Sequence, residues 1–336
     1  MYDEDDWELR SRDRQRLSRR SKKQRGKPKP RRESAASDGA TRAQGVVIEV
    51  NARSASVVLS DGSTVLANRP GRLQSRGGGL VVGDEVTVAT GDHASVIERV
   101  GRRRTLLSRQ QPGPRPIEQP IVANVDAIGI VSTASDPPFR PRLVDRYLVA
   151  IERSGAAPVV VVNKLDEAPP ERRAELDALL APYEGLGLAV HRVSATTGEG
   201  LPELLEQLAG RRVALVGHSG VGKSSLVAAM GASAIAGGLT EHGRGRHTTS
   251  GSTLHRLPEG TEIIDTPGVR QFGLFDLTRR QLLAAFPEFA AFAADCAWAS
   301  CTHDDEPDCA VRIAAEDGRL CAARYDSYRR LLPDAR

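Results

Sequence analysis

Between residues 44 and 100 the apolar positions come in short runs broken by turn signals: QGVVIEVN, SASVVLSDG, STVLANRP, LVVGDEVTVAT and ASVIERV, with Asp61-Gly62 and Gly83-Asp84 between them. Five short strands in about sixty residues predict a small closed barrel of the OB type over 44–105. Pro112, Pro114, Pro116 and Pro120 then predict a linker over 106–120. Beyond it the pattern changes. Near-continuous apolar runs at 125–131, 158–162, 188–193 and 211–216 alternate with helical stretches at 142–154, 171–183 and 201–209. Strands apolar on both faces, separated by helices, predict a mainly parallel sheet covered on both sides. STLHRL and TEIIDT read as a strand pair turning at Pro258-Glu259-Gly260, and the chain reads as helical from 279.

Residues 1–43 carry no such pattern. Five acids at 3–8 (Asp3, Glu4, Asp5, Asp6, Glu8) precede thirteen Arg or Lys between 10 and 32, against the single acid Asp13. With almost nothing apolar to bury, this segment reads as a disordered charged tail. It is either solvated or an arm for an anionic polymer, where each phosphate contact releases counterions. The barrel stretch 44–100 has no Phe, Trp or Tyr, so base stacking is not expected there. If the barrel binds RNA, it does so by shape and phosphate contacts helped by Arg102, Arg103, Arg104 and Arg109; otherwise it is a structural barrel with a solvated arginine edge. There is no apolar run long enough to cross a membrane and no apolar leader. The four cysteines, all between 296 and 321, suit a metal site in a reducing compartment better than a disulfide framework. A cytoplasmic protein with no membrane partner is expected.

Lysine usage narrows the chemistry. Of six lysines, four (Lys22, Lys23, Lys27, Lys29) lie in the tail, and the other two are Lys164 in NKLD and Lys223 in GKSS. Elsewhere the chain uses arginine, so a compact ammonium is kept in the folded region only at two motif positions.

GHSGVGKS, residues 217–224, follows an apolar strand and opens a helix, the context of a phosphate-binding loop. Gly217, His218, Ser219, Gly220, Val221 and Gly222 would wrap phosphate oxygens, with Ser225 next in the helix. Lys223 would reach the outer phosphates and Ser224 would ligate Mg²⁺. DTPG follows about forty residues later; there Asp265 would hold the Mg²⁺ through water and Gly268 would offer its amide to a γ-phosphate. NKLD ends another apolar strand. An Asp166 carboxylate there accepts from guanine's ring N–H and amine, a donor pair that adenine lacks. Asn163 would tie this loop to the phosphate loop, the Lys164 stem would lie along the base, and Ser194-Ala195 of SAT could offer an amide to the guanine carbonyl. Between the phosphate loop and DTPG lies the glycine-rich, polar stretch 237–251, in which Thr248 or Thr249 could reach Mg²⁺. Val269 stands where a water-orienting glutamine is common, which leaves His247 as a candidate catalytic residue beside Lys223.

Cys296-x4-Cys301-x-His303-x5-Cys309 brings three thiolates and an imidazole within a short stretch, a donor set that fits a closed, structural zinc site. Cys321 is left over, the rival fourth ligand should His303 point away.

NKLD preceding GHSGVGKSSL reverses the usual order of these motifs. Together with SAT, GRHTTS, DTPGVRQFGL, EPDC and RYDSYRRLL, the order resembles the circularly permuted, small-subunit-dependent ribosomal GTPases of bacteria. Apart from the charged tail 1–43, a departure that the family pattern does not require, the resemblance implies a multidomain fold: an OB-fold over 44–105, a circularly permuted α/β P-loop GTPase domain over 106–277 and a helical zinc-binding domain over 278–336. It implies one Zn²⁺, Mg²⁺ with GTP, and a monomer that binds the 30S subunit and its 16S rRNA and hydrolyses GTP during late maturation of that subunit. It also implies a catalytic role for His247. The competing readings are a GTPase acting on another RNA or translation factor, and an RNA-binding scaffold that only senses guanine nucleotide. Permutation further suggests that the switch at Gly268, leading directly toward the zinc domain, could reposition that domain.

Overall fold

The computed structural model describes residues 41–71, 79–91, 94–111, 113, 116–235, 251–268 and 272–336. The tail at 1–40, the stretch 236–250 with His247, Thr248 and Thr249, Pro112, Pro114 and Val269 lie outside the described residues.

The barrel forms as its alternation predicts. Strands β1 (Thr41–Val50), β2 (Ser54–Leu59), β3 (Thr64–Asn68), β4 (Glu85–Thr90) and β5 (Ser95–Val100) run in the order β1-β2-β3-β5-β4, and β4 pairs back onto β1 to close the ring. Its interior is small and β-branched: Val47, Ala55, Val57, Ala67, Val86, Val88 and Ile97. Such side chains fill a narrow barrel without leaving a channel. β1 begins at Thr41, ahead of the expected start, because Thr41–Ala43 pair with Thr90–Val88 although they carry no hydrophobic signal. A surface pair of Arg42 with Glu98 at 2.7 Å accompanies that ladder.

The segment expected to be a linker is instead a hairpin, β6 (Leu106–Gln110) with β7 (Glu118–Ala123). Its prolines concealed the apolar positions that decide the matter, since Leu107 and Val122 are fully buried. Pro120 stands opposite Ser108 where the register shifts, so the ladder loses little by its missing N–H.

Five parallel strands follow: β8 (Ala127–Thr133), β9 (Ala157–Asn163), β10 (Ala189–Arg192), β11 (Arg212–Gly217) and β14 (Glu262–Asp265), ordered β10-β9-β8-β11-β14. Helices α1 (Pro141–Ser154) and α2 (Pro170–Gly185) cover one face through Tyr147, Ile151, Leu176 and Leu180; α3 (Leu201–Leu208) and α4 (Lys223–Ala229) cover the other through Leu204, Leu208, Leu226 and Val227. Burial on both faces explains why β8, β9 and β11 read as unbroken apolar runs. The short β12 (Ser233–Ala234) pairs with β13 (Thr253–Arg256), which runs antiparallel to β14 and also meets β1 at Glu49 and Thr253. Among the described residues, barrel and central sheet thus form one twelve-stranded hydrogen-bonded sheet.

The C-terminal region is built from short helices, α5 (Arg279–Ala284), α6 (Ala290–Ala293), α7 (Ala310–Glu316) and α8 (Ala322–Leu331). It shares the core of the α1 face through Leu282, Phe286, Phe289, Tyr328 and Leu331. A buried ion pair crosses this contact: Arg324 donates to Asp145 at 2.6 Å, with both side chains essentially inaccessible. Arg324 also meets Glu288 at 2.8 Å and the Ala285 carbonyl at 2.9 Å. The approach to this region from the DTPG loop is itself anchored. Phe272 packs on Tyr147 with ring centroids 4.8 Å apart, its carbonyl accepts from Arg146 at 3.1 Å, and the Gly273 carbonyl accepts from the Gln110 amide at 2.8 Å. The route from switch to helices is therefore fastened to α1 and β6 before α5 begins.

Candidate active site and metal centre

The motifs are far apart in the chain and adjacent in the sheet. β9 delivers NKLD, β11 delivers the phosphate loop and β14 delivers DTPG, all at the carboxyl ends of parallel strands, where α/β sheets place their ligand loops.

Asn163 is buried and joins two of these loops, donating from Nδ2 to the Val221 carbonyl at 3.0 Å and accepting at Oδ1 from the Ala195 amide at 3.0 Å. Gly222 makes the approach possible: its φ is +85°, and a Cβ there would stand 2.5 Å from Asn163 Nδ2. The Ala195 amide, expected to face a guanine carbonyl, is therefore already engaged by Asn163. Asp166 is exposed, and its Oδ1 accepts from the Ser194 hydroxyl at 2.5 Å. Ser194 Oγ in turn accepts from the Thr196 and Thr197 amides at 3.2 and 3.0 Å. Lys164, in the left-handed region at φ 61°, donates to the Asp136 carbonyl at 2.8 Å. Nothing in SDPP marks that β8–α1 loop as part of the site until the sheet sets β8 beside β9.

In the phosphate loop Lys223 is buried and donates to the carbonyls of Gly217 and His218 at 3.3 and 3.2 Å. Burial holds its ammonium below the usual lysine range, with Asp265 pulling the other way. The Ser224 hydroxyl donates to Asp265 Oδ2 at 2.6 Å, while Asp265 Oδ1 is buried without a partner. A buried carboxylate oxygen left unsatisfied beside a hydroxyl is the donor set a hard cation takes. Gly268 packs so closely that a Cβ on it would lie 2.7 Å from Ser219 Cα, which brings the DTPG backbone against the phosphate loop. Thr266, not anticipated from the sequence, fixes that turn by donating to the Leu215 carbonyl at 2.6 Å.

In the C-terminal region the ligand atoms of Cys296, Cys301, His303 and Cys309 all lie within 4.8 Å of one another. His303 Nδ1 is 3.5 Å from Cys296 Sγ and 3.6 Å from Cys309 Sγ, and the two sulfurs are 4.0 Å apart. A tetrahedral ion with thiolate bonds of about 2.3 Å needs S···S edges of about 3.8 Å, so the residues fit. Burial, with Cys309 and Cys296 close by, pushes the Cys301 thiol up to about 12, the reverse of what a bound cation imposes. Behind the cluster, the Tyr325 hydroxyl donates to the His303 carbonyl at 3.0 Å and that of Tyr328 to the Thr302 carbonyl at 2.7 Å. Glu306 accepts from the Thr302 and Asp304 amides at 2.7 and 3.0 Å. Burial would raise the Glu306 carboxyl, but these donors and the Thr302 hydroxyl outweigh it and hold it at about 2. Cys321 is not in the cluster; it stands at the residue before α8, and His303 takes the fourth place.

Of the arginines expected to meet phosphate, Arg103 is turned inward onto buried Asp84 at 2.7 Å, Arg104 reaches Asp126 at 3.4 Å and Arg109 reaches Gln119 at 2.9 Å. Arg102 is exposed. Among the described residues no helix is long and apolar enough to cross a membrane.

The sequence profile of the RsgA GTPase family matches residues 100–275. The small ribosomal subunit biogenesis GTPase RsgA of Gemmatimonas aurantiaca is 40% identical over 300 residues, covering 87% of this chain and 97% of that protein. The protein of the same description from Chlorobaculum parvum is 41% identical over 305 residues, covering 86% and 96%. Among solved structures, YjeQ from Thermotoga maritima superposes with a TM-score of 0.67 at 31% identity, over 87% of this chain and 97% of that one. YloQ, described as a circularly permuted GTPase, matches with a TM-score of 0.64 over 90% and 97%; at 24% identity it bears on the fold alone. A phosphate loop and a base loop joined by Asn163 across a permuted chain, a three-cysteine, one-histidine cluster and relatives matched over nearly their whole length lead to one conclusion: the chain belongs to the RsgA GTPase family.

Proposed function

We propose that this chain is a cytoplasmic monomer that binds the 30S subunit through its 16S rRNA and hydrolyses GTP to GDP and phosphate during late maturation of that subunit. The observation that supports it most is Asn163 of NKLD, one side chain holding Val221 of the phosphate loop and Ala195 of SAT together. The similar proteins of Gemmatimonas and Chlorobaculum are described as biogenesis GTPases of the small ribosomal subunit.

Each residue then has a task. Asp166 accepts from the guanine ring N–H and amine, held in place by Ser194. The amide of Ala195 meets the guanine carbonyl by sharing or exchanging its bond to Asn163. Lys223 gives up the Gly217 and His218 carbonyls for outer phosphate oxygens, whose charge restores the ammonium that burial disfavours. Ser224 and Asp265 hold Mg²⁺, which when bound neutralises charge on the phosphate oxygens. Gly268 carries its amide toward the γ-phosphate. His247 orienting the attacking water and Thr248 or Thr249 on the metal complete the proposal, all outside the described residues. Zn²⁺ is held by Cys296, Cys301, His303 and Cys309, and since four donors fill a tetrahedron its task is structural.

GTP turnover measured alone, with purified 30S and with purified 50S subunits tests this reading. Stimulation by 30S alone is expected. Equal stimulation by both subunits, or no turnover under any condition, overturns it.

A further inference from the structure

Arg173, on the first turns of α2, lies outside every motif, yet its guanidinium gathers the two loops that would read the base. It donates to the Leu165 carbonyl at 2.9 Å and to the Ala168 carbonyl at 3.2 Å, the two ends of the short turn that carries Asp166. It also donates to Glu199 at 3.1 Å. Glu199 belongs to the other loop, where its carbonyl accepts from the Ser194 amide at 2.9 Å. Ser194 Oγ then returns to Asp166 at 2.5 Å. The bonds close a ring: Arg173, the Leu165–Ala168 turn, Asp166, Ser194, Glu199 and Arg173 again.

We propose that Arg173 is a positioning residue for guanine recognition, setting the angle of the Asp166 carboxylate through this ring without touching the nucleotide. The inference rests on the GTPase reading above. A carboxylate that must accept from a ring N–H and an exocyclic amine together needs its plane fixed, because both bonds form only when the two oxygens face the base edge. One oxygen is fixed by Ser194. The turn beneath it is fixed by Arg173, whose planar fork can span two carbonyls and a carboxylate where an ammonium could not. The Glu199 contact is half exposed and adds little alone. Its part is to tie the second loop to the first.

The test compares GDP with IDP, which lacks the exocyclic amine. Both lack the γ-phosphate, so the comparison isolates the base. Dissociation constants for both are measured on the full chain and on Arg173→Met, with thermal unfolding as the check on folding. The expected result is a GDP:IDP preference reduced about fivefold, the worth of one net hydrogen bond. Arg173→Lys should recover part of the preference and Glu199→Gln most of it. An unchanged ratio overturns the proposal, as does an equal loss for both nucleotides, which marks a merely structural side chain. If Arg173→Met does not fold, Arg173→Lys carries the same comparison. Failure of the unsubstituted chain to bind either nucleotide would instead strike at the GTPase reading.

Discussion

Removing the Arg324 guanidinium should weaken the hold of the C-terminal helices on α1. Asp145 on α1 is fully buried; facing it are Arg324 and Ser327 from α8 and the Tyr183 hydroxyl from α2, which donates at 2.9 Å. Burial pushes the Asp145 carboxyl up, and Arg324 is the largest influence holding it down. For Arg324 burial works against the guanidinium, and Glu288 and Asp145 more than offset it. In Arg324→Met the carboxylate loses its cation and must take a proton to stay buried. Against an unfolded value of about 3.9, doing so at pH 7 costs about 4 kcal/mol. Breaking one side of a buried pair typically costs about 3–5 kcal/mol, in agreement. In the variant the folded-state value lies above the unfolded one, so the folded form holds a proton that the unfolded form has lost. The deficit is therefore largest near neutrality and shrinks by about 1.4 kcal/mol per unit as pH falls toward 4. Urea unfolding of parent and variant at fixed zinc, at pH 7 and pH 5, measures it. Asp145→Asn combined with Arg324→Met should regain most of the loss, because the amide carries no charge to strand. A deficit under about 1 kcal/mol at pH 7, or one that does not change between the two pH values, would refute the reasoning.

Three further outcomes follow from the site. Asp166→Asn should move nucleotide preference from guanine toward xanthine, read by competition binding; retained guanine selectivity removes Asp166 from base recognition. Gly222→Ala forces a Cβ to 2.5 Å from Asn163 Nδ2 at a φ of +85°, so GTP affinity should fall by at least tenfold, about 1.4 kcal/mol, with the central sheet intact by circular dichroism. Cys309→Ser should abolish stoichiometric zinc by metal analysis and speed hydrogen exchange in 310–331, whereas Cys321→Ser should retain the metal.

The barrel and the parallel sheet were legible because their signals are local: a period of two in the barrel, unbroken apolar runs where both faces are covered. The 106–120 stretch misled because proline density outweighed two short apolar pairs, and Leu107 and Val122 show their burial only against a core supplied from elsewhere in the chain. Arg103 looked like a phosphate contact because a run of arginines on a barrel edge has no sequence signal for an inward turn. Only the fold sets buried Asp84 beside it. Arg173 and Thr266 carry no sequence signal for the same reason: apart from Glu199, which only the fold sets beside Arg173, their partners are carbonyl oxygens, which every residue has.

By itself the sequence singled out the candidates: a loop for phosphate, a carboxylate for guanine and four side chains with the donor set of a metal site. These follow from residue types at fixed local spacing. Whether they act together was decided by tertiary structure. The strand order β9-β8-β11-β14 brings NKLD, the phosphate loop and DTPG to one edge whatever their order along the chain. Permutation changes which strands are joined covalently and leaves unchanged which are neighbours, and a binding site depends on neighbours. Tertiary structure also decided what the re-joined chain is fastened to. Phe272 and Gly273 are anchored on α1 and β6, and Arg324 is buried against Asp145, so the zinc region rests on the helix beside the base loop more than on the switch it follows in sequence. The physical reason is burial: a covalent link leaves its φ and ψ rotations free, whereas contacts that exclude water over a shared core fix how two regions are oriented.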